Sequence, residues 1–257
     1  MAEYHAAVTP PHPESAASEM ELSLVPTPTH ARGGPPIPGR HGTVPHDPIA
    51  RRDRFIDDRL AELPETSVVV NVGCGVVRRF EPSAARRYLA TDLRLLPSVD
   101  FVSDASALPL ADGSVDVVLS LELLEHVLEP AVVLGELARV LRPGGTVMVS
   151  VPSAVPRHDD NDYWRFTAQG LGQLASTVFD RGEVHVFGGT FEALGCLAEY
   201  YTALTFHVLH LPSRRGRKLF PTVGHWLDRH TSWSTSPTAL HTLAFDLLFV
   251  GTTPLGD

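Results

Sequence analysis

Two glycines, Gly73 and Gly75, stand directly after the apolar run Val68 to Val72. A residue without a β-carbon takes positive φ at little steric cost and lets backbone N–H groups come close to a ligand. Asp92 lies 19 positions beyond Gly73. A carboxylate there can accept hydrogen bonds from both hydroxyls of a ribose. Asp104 follows a third β-like run and can accept from an adenine amino group, and Glu122 follows a fourth. Each aspartate taken singly is equally well read as a loop cap. Taken together, the four places fall at four successive strand ends, where open α/β sheets bind ligands, and suit a nucleoside. A dinucleotide fingerprint would need a third glycine where Arg78 stands, which counts against nicotinamide and flavin cofactors.

The elements that must hold these residues alternate. The run "IARRDRFIDDRLAEL" places Ile49, Phe55, Ile56, Leu60 and Leu63 on one helical stripe. Short β-like runs follow at Val68 to Val72, Tyr88 to Thr91, Asp100 to Ser103, Val115 to Ser120 and Thr146 to Val151. The clearest helix between them spans Pro130 to Leu141 and is stopped by Pro143 and Gly144. Beyond Thr167, an N-cap residue, come a helix, the strand "EVHVFG", a long apolar helix from Phe191 to Leu211 and a last strand in "HTLAFDLLFVGT". Such alternation predicts a parallel α/β sheet with helices on both faces.

Composition narrows the function classes. The chain has 257 residues, 43% of them hydrophobic, enough for a sizeable core. A net charge of −9 argues against nucleic acid as a partner. No run approaches the roughly 18 apolar residues of a membrane span, so no membrane partner and a cytoplasmic location are expected. Cys74 and Cys196 make no metal or disulfide pattern. Ten of the 22 prolines precede Arg51, so residues 1–48 are read as a flexible, proline-rich arm before a domain over 49–257. Within that domain, residues 188–240 exceed the minimal fold and could form a lid, a dimer interface or an ordinary packed helix.

The segments "VVVNVGCG", "YLATDL", "SDASALPLADGSVDVVLSLELLEHV", "ARVLRPGGTVMVSVP" and "NDYWRFT" resemble the successive motifs of class I S-adenosylmethionine-dependent methyltransferases. They resemble in particular a subgroup with an Asp-Tyr-aromatic-Arg-Phe-Thr segment after the fifth strand, and the fold this implies is a doubly wound, Rossmann-like α/β sheet of seven mostly parallel strands with the last antiparallel. The resemblance implies that Gly73, Cys74 and Gly75 pass the methionine portion of S-adenosylmethionine and that Asp92 holds its ribose. Leu93 would flank the adenine, Asp104 and Ala105 would meet its edge, and Leu121 with Glu122 would close the site beside the sulfonium. Two positions depart from the family pattern: Asn71 replaces the usual acidic residue, and Val77 stands where a third glycine is common. Asn71 can hydrogen-bond but brings no charge to the ammonium of the methionine part.

Methyl transfer is an in-line displacement that needs positioning and, for a hydroxyl or amine acceptor, a base. His158 is the first candidate base, in the connection leaving the fifth strand, with Tyr163 and His126 behind it. Trp164 and Arg165 can frame a substrate or serve as core anchor and ion-pair partner. Asp159, Asp160 and Asp162 are read as solvent-facing, and no metal is expected. The expected activity is methylation of a hydroxyl, amine or carbon of a small molecule, a specialised metabolite or sugar, with a homodimer or a partner enzyme as possible assemblies. The alternatives are non-methylating use of the same pocket, such as cyclisation, and a silent cofactor-binding subunit.

Overall fold

The computed structural model describes residues 24–26, 47–76, 80, 87–208, 223, 225–227 and 244–256. Helix α1 (Pro48–Ala61) opens on Asp47, whose carboxylate accepts the backbone N–H groups of Ile49 and Ala50. That is the capping expected of an aspartate ahead of a first-turn proline. Its buried stripe is Pro48, Arg52, Ile56 and Leu60, one residue every four, so an arginine occupies a position where the pattern calls for an apolar side chain.

The strands are β1 (Leu24–Pro26), β2 (Val68–Val72), β3 (Arg87–Asp92), β4 (Phe101–Val102), β5 (Val115–Leu121), β6 (Leu141–Pro152), β7 (Arg181–Phe187) and β8 (Asp246–Thr252). They form one sheet in the order β1-β7-β8-β6-β5-β2-β3-β4. β8 runs antiparallel to both β6 and β7, and the other pairs are parallel. Seven of these strands are the expected doubly wound sheet with its last strand reversed. The eighth, β1, comes from the proline-rich segment and lies parallel to β7 at the edge. The rest of residues 1–46 lies outside the described residues, as do Val77, Arg78 and most of 209–243.

Helices α2 (Pro130–Val140), α3 (Ala168–Ala175) and α4 (Thr190–Val208) complete the described elements. The Thr167 hydroxyl accepts the Gly170 N–H and caps α3 as expected. Alternation along β2 divides the core. Val70 and Val72 join Leu134, Leu137, Leu171 and Phe249 on one face. Val69 joins Ile56 and Leu60 of α1, Leu119 and Met148 on the other. β6 begins at Leu141, earlier than the apolar run suggested, because Gly144 takes φ +69 and the chain keeps pairing through a shift of register against β5.

Candidate active site at the carboxyl ends of the strands

The parallel pairing of β2 with β3 and β5, of β3 with β4 and of β5 with β6 directs their carboxyl ends to one edge of the sheet. Gly73 and Gly75 both have positive φ, 70 and 64 degrees. A β-carbon on Gly73 would lie 2.8 Å from the Leu123 side chain, so this glycine permits close packing. One on Gly75 would meet nothing within 4 Å. The loop is therefore tight on one side and open on the other. The Gly73 and Cys74 N–H groups donate to the Thr91 carbonyl, which ties the loop to β3.

Asp92 ends β3 with its side chain nearly buried. Its Oδ2 accepts the Gly75 N–H at 3.0 Å, and its Oδ1 accepts the Arg94 N–H and Nε, each at 3.0 Å. Burial alone would raise its pKa, but the Arg94 and Gly75 hydrogen bonds outweigh it and hold the carboxyl below its ordinary value. Arg94, which sequence reasoning missed, is 64% exposed, so this contact is weak and displaceable. Leu93 beside it is 68% exposed, an apolar surface next to Asp92. Asp104, past β4, uses Oδ1 to accept the N–H and hydroxyl of Ser106, which lowers its pKa and fixes its carboxylate beside Ala105. Asn71 is buried on β2, its amide donating to the Tyr88 hydroxyl at 2.9 Å while its Oδ1 has no partner. An unpartnered buried acceptor beside an open glycine loop fits a cofactor that brings an ammonium donor.

The neighbouring strand ends carry denser charge. Glu122, after Leu121 at the end of β5, has φ +54. Side chains in that conformation are strained and are kept only when the surroundings over-determine them. Here the Glu122 N–H donates to the Ser150 carbonyl, and Glu122 Oε1 accepts from Arg52 Nη1 and the Ser150 hydroxyl, each at 2.7 Å. Arg52 is fully buried and also pairs with Asp246 Oδ2 at 2.7 Å and with Asp53. Burial pushes the Asp246 carboxyl well up, with Arg52 opposing. Sequence reasoning missed Arg52 and Asp246. Each nevertheless left a signal, one charge within an apolar stripe and one at the start of the apolar run of β8.

A turn of 3-10 helix, Leu124–His126, follows. Glu125 is wholly buried, and neither of its oxygens has a hydrogen-bond partner. Burial, with the Glu122 charge second, pushes its pKa up to about 9. His126 Nδ1 lies 2.8 Å from the Asn161 carbonyl oxygen, an acceptor, so Nδ1 is the donor of this contact and Nε2 stands outside it. His158 Nδ1 lies 3.1 Å from Asp162 Oδ2, which likewise leaves Nε2 outside the contact. The two rings meet edge to face at 5.1 Å between centroids. The two leading histidine candidates are thus side by side.

The loop carrying His158 is built around Asp162. This side chain is buried and not solvent-facing as its hydrophilic surroundings suggested, because Arg165 and the His158 N–H close over it. The hydrogen bonds from Arg165, against a smaller effect of burial, lower its pKa to about 2. Asp159 and Asp160 are exposed as expected. Arg165 donates to both Asp162 oxygens and to the carbonyls of Val155, Pro156 and Trp164, five bonds for its five donors. No donor of Arg165 is left for a substrate in this arrangement, and the residue clamps the loop. Tyr163 donates its N–H to the Glu125 carbonyl and its hydroxyl to Asn161 Oδ1, and Trp164 Nε1 donates to the Val127 carbonyl. Both rings are nearly half exposed. Tyr163, Trp164, His126 and His158 therefore surround one patch.

Residues 70–149 match the family described as a methyltransferase domain. A Mycobacterium tuberculosis protein named as a probable S-adenosylmethionine-dependent methyltransferase is 33% identical over 152 residues, 53% of this chain and 56% of that protein. The 2-methyl-6-phytyl-1,4-hydroquinone methyltransferase of Synechocystis is 30% identical over 197 residues, 68% of this chain and 56% of that protein. The chain thus spans about half the length of these curated relatives. In fold it is similar to the [4+2]-cyclase SpnF, with a TM-score of 0.52 at 17% identity over 80% of this chain and 82% of that one. No helix among the described residues is long and apolar enough to cross a membrane. Motifs, strand order and relatives agree: the chain carries a domain of the class I S-adenosylmethionine-dependent methyltransferase family.

Proposed function

We propose that the chain transfers the methyl group of S-adenosylmethionine to a hydroxyl, amine or carbon of a small molecule, with sugars and specialised metabolites as the first acceptors to try. The observation that carries this reading is one continuous edge of the sheet. The open Gly75 turn, Asp92 and Asp104 lie on one side of Glu122, and His126 and His158 lie on the other.

Bound S-adenosylmethionine supplies a methyl group activated by a sulfonium. On this reading the Asp92 carboxylate holds the ribose hydroxyls after displacing exposed Arg94, and Leu93, Asp104 and Ala105 frame the adenine. Asn71 Oδ1 accepts from the ammonium of the methionine portion, which passes Gly73, Cys74 and Gly75. Leu121 and Glu122 close the site at the sulfonium end. His158 takes the acceptor proton at Nε2, oriented by Asp162 in the way a carboxylate fixes a catalytic imidazole. His126 and Tyr163 flank it, Trp164 offers the acceptor an aromatic face, and Arg165 keeps the loop in place.

Incubation with S-adenosylmethionine and a panel of acceptors tests the reading. One S-adenosylhomocysteine formed per methylated product is expected. Product without S-adenosylhomocysteine would instead mean cyclisation or another rearrangement, and tight binding without turnover would mean a cofactor-binding subunit. A mass-spectrometric search of metabolite pools for products heavier by one methylene unit identifies the acceptor.

A further inference from the structure

We infer that Glu125, His126 and His158 form a binding site for one divalent first-row transition-metal ion. One ligating atom of each lies within 4.8 Å of the other two. Two imidazoles and a carboxylate suit Zn²⁺, Co²⁺, Ni²⁺ or Fe²⁺ better than Mg²⁺ or Ca²⁺, which prefer all-oxygen sets.

Two independent features point to a cation rather than to a chance cluster. The first is Glu125, wholly buried with both oxygens unpartnered and Oε1 only 3.7 Å from His126 Nε2. That separation is too long for a hydrogen bond, and buried carboxylates are rarely left without a partner. The second is the way the two imidazoles are held. His126 Nδ1 is held by a backbone carbonyl and His158 Nδ1 by the Asp162 carboxylate, the two outer contacts that orient metal-binding histidines and leave Nε2 free to ligate. Neighbouring guanidinium groups do not relieve the first: Arg52 serves Asp53, Glu122 and Asp246, and Arg165 serves Asp162, and neither hydrogen-bonds Glu125.

Zinc-like bonds of 2.0–2.1 Å bring ligand atoms to about 3.3 Å from one another, so the cluster would contract by roughly an ångström on loading. Three protein ligands leave positions open, as in catalytic rather than structural sites. A consequence, which rests on the methyl-transfer reading, is that the acceptor is a hydroxyl. Its oxygen would coordinate the ion, its pKa would fall and its proton would leave to solvent, and His158 would then be a ligand and not the base.

The test reads binding alone, so it stands or falls apart from methyl transfer. Chelator-stripped, untagged full-length protein is titrated with Co²⁺ and with Zn²⁺ by calorimetry, and the Co²⁺ form is followed by its visible absorption. One ion per chain is expected with Kd on the order of micromolar or tighter. Glu125→Gln, His126→Ala and His158→Ala should each weaken it at least tenfold. Asp162→Asn, which touches no metal, should weaken it about 10- to 100-fold. Because Glu125 is buried, circular dichroism checks each variant, and the partly exposed His126→Gln and His158→Gln carry the test if Glu125→Gln unfolds. No binding below about 100 µM, or binding that survives both histidine changes, overturns the site. S-adenosylhomocysteine formation without metal binding would leave the methyltransferase reading intact and remove this one.

Discussion

The two halves of the strand-end edge are built in different ways. On the β2–β4 side, backbone geometry and one carboxylate do most of the work: positive φ at Gly73 and Gly75, and Asp92 held by the Gly75 N–H. Its partners are near in sequence, and the exposed Arg94 can move aside. On the β5–β6 side, charged groups from α1, β5, the loop after β6 and the start of β8 converge, with Arg52 bonding residues 70 and 194 positions away. On the proposed reading, a surface for a common nucleoside is made from local turns, whereas a surface for an acceptor and its proton draws side chains from the whole fold, and their burial makes them costly to disturb.

The largest effect that would break this contrast is on stability. Arg52→Leu leaves Glu122 and Asp246 facing each other without a cation and should cost about 3 to 5 kcal/mol. Urea unfolding monitors it, and an unchanged midpoint would mean that the network does not hold the acceptor half together. Next in size is His158. Both His158→Ala and His158→Gln should lower kcat by at least about 10²-fold while leaving S-adenosylhomocysteine affinity within about twofold. Weakened cofactor binding in these variants would merge the two halves that the structure keeps apart.

Asp92→Ala should do the reverse, weakening S-adenosylhomocysteine binding by about 1.5 to 3 kcal/mol with little change in unfolding midpoint. Calorimetric titration of the folded variant showing the wild-type Kd would take Asp92 out of the site. The smallest effect concerns Arg94. Its exposed pair with Asp92 is worth about 0 to 1 kcal/mol, so Arg94→Ala should leave cofactor affinity unchanged or slightly tighter. The folded-state pKa of Asp92 lies below its ordinary 3.8, so the stability it contributes is present above that value and is lost as pH falls through the lower one. Cofactor affinity should accordingly stay flat from pH 8 to about 5, and a decline across that range that is absent in Asp92→Asn would show the carboxyl to be raised instead.

Much of the β2–β4 half, the one proposed to hold the cofactor, could be read from the chain. An apolar run ending in two glycines, with carboxylates after the next strands, specifies a strand, a tight turn and polar strand ends through local rules of φ, periodicity and capping. The Pro130 helix and the Thr167 cap were legible for the same reason. The acceptor half was legible only as candidates. His126 and His158 are 32 residues apart, and their edge-to-face contact depends on β5 and β6 lying parallel and adjacent. Asp162 looked solvated because its neighbours are hydrophilic, yet Arg165 folds over it.

What the sequence determined by itself was the order of elements from α1 onward, the glycine turn after β2 and the family, since these follow from short-range patterns of apolar residues, glycines and caps. Only the tertiary structure decided which charges are buried together. Arg52 becomes a hub and Glu125 an unpartnered carboxylate because strands distant in the chain bring Glu122, Ser150 and Asp246 to one end of the sheet. There the low dielectric makes each unmatched charge cost several kcal/mol, a quantity that no local pattern of residues contains.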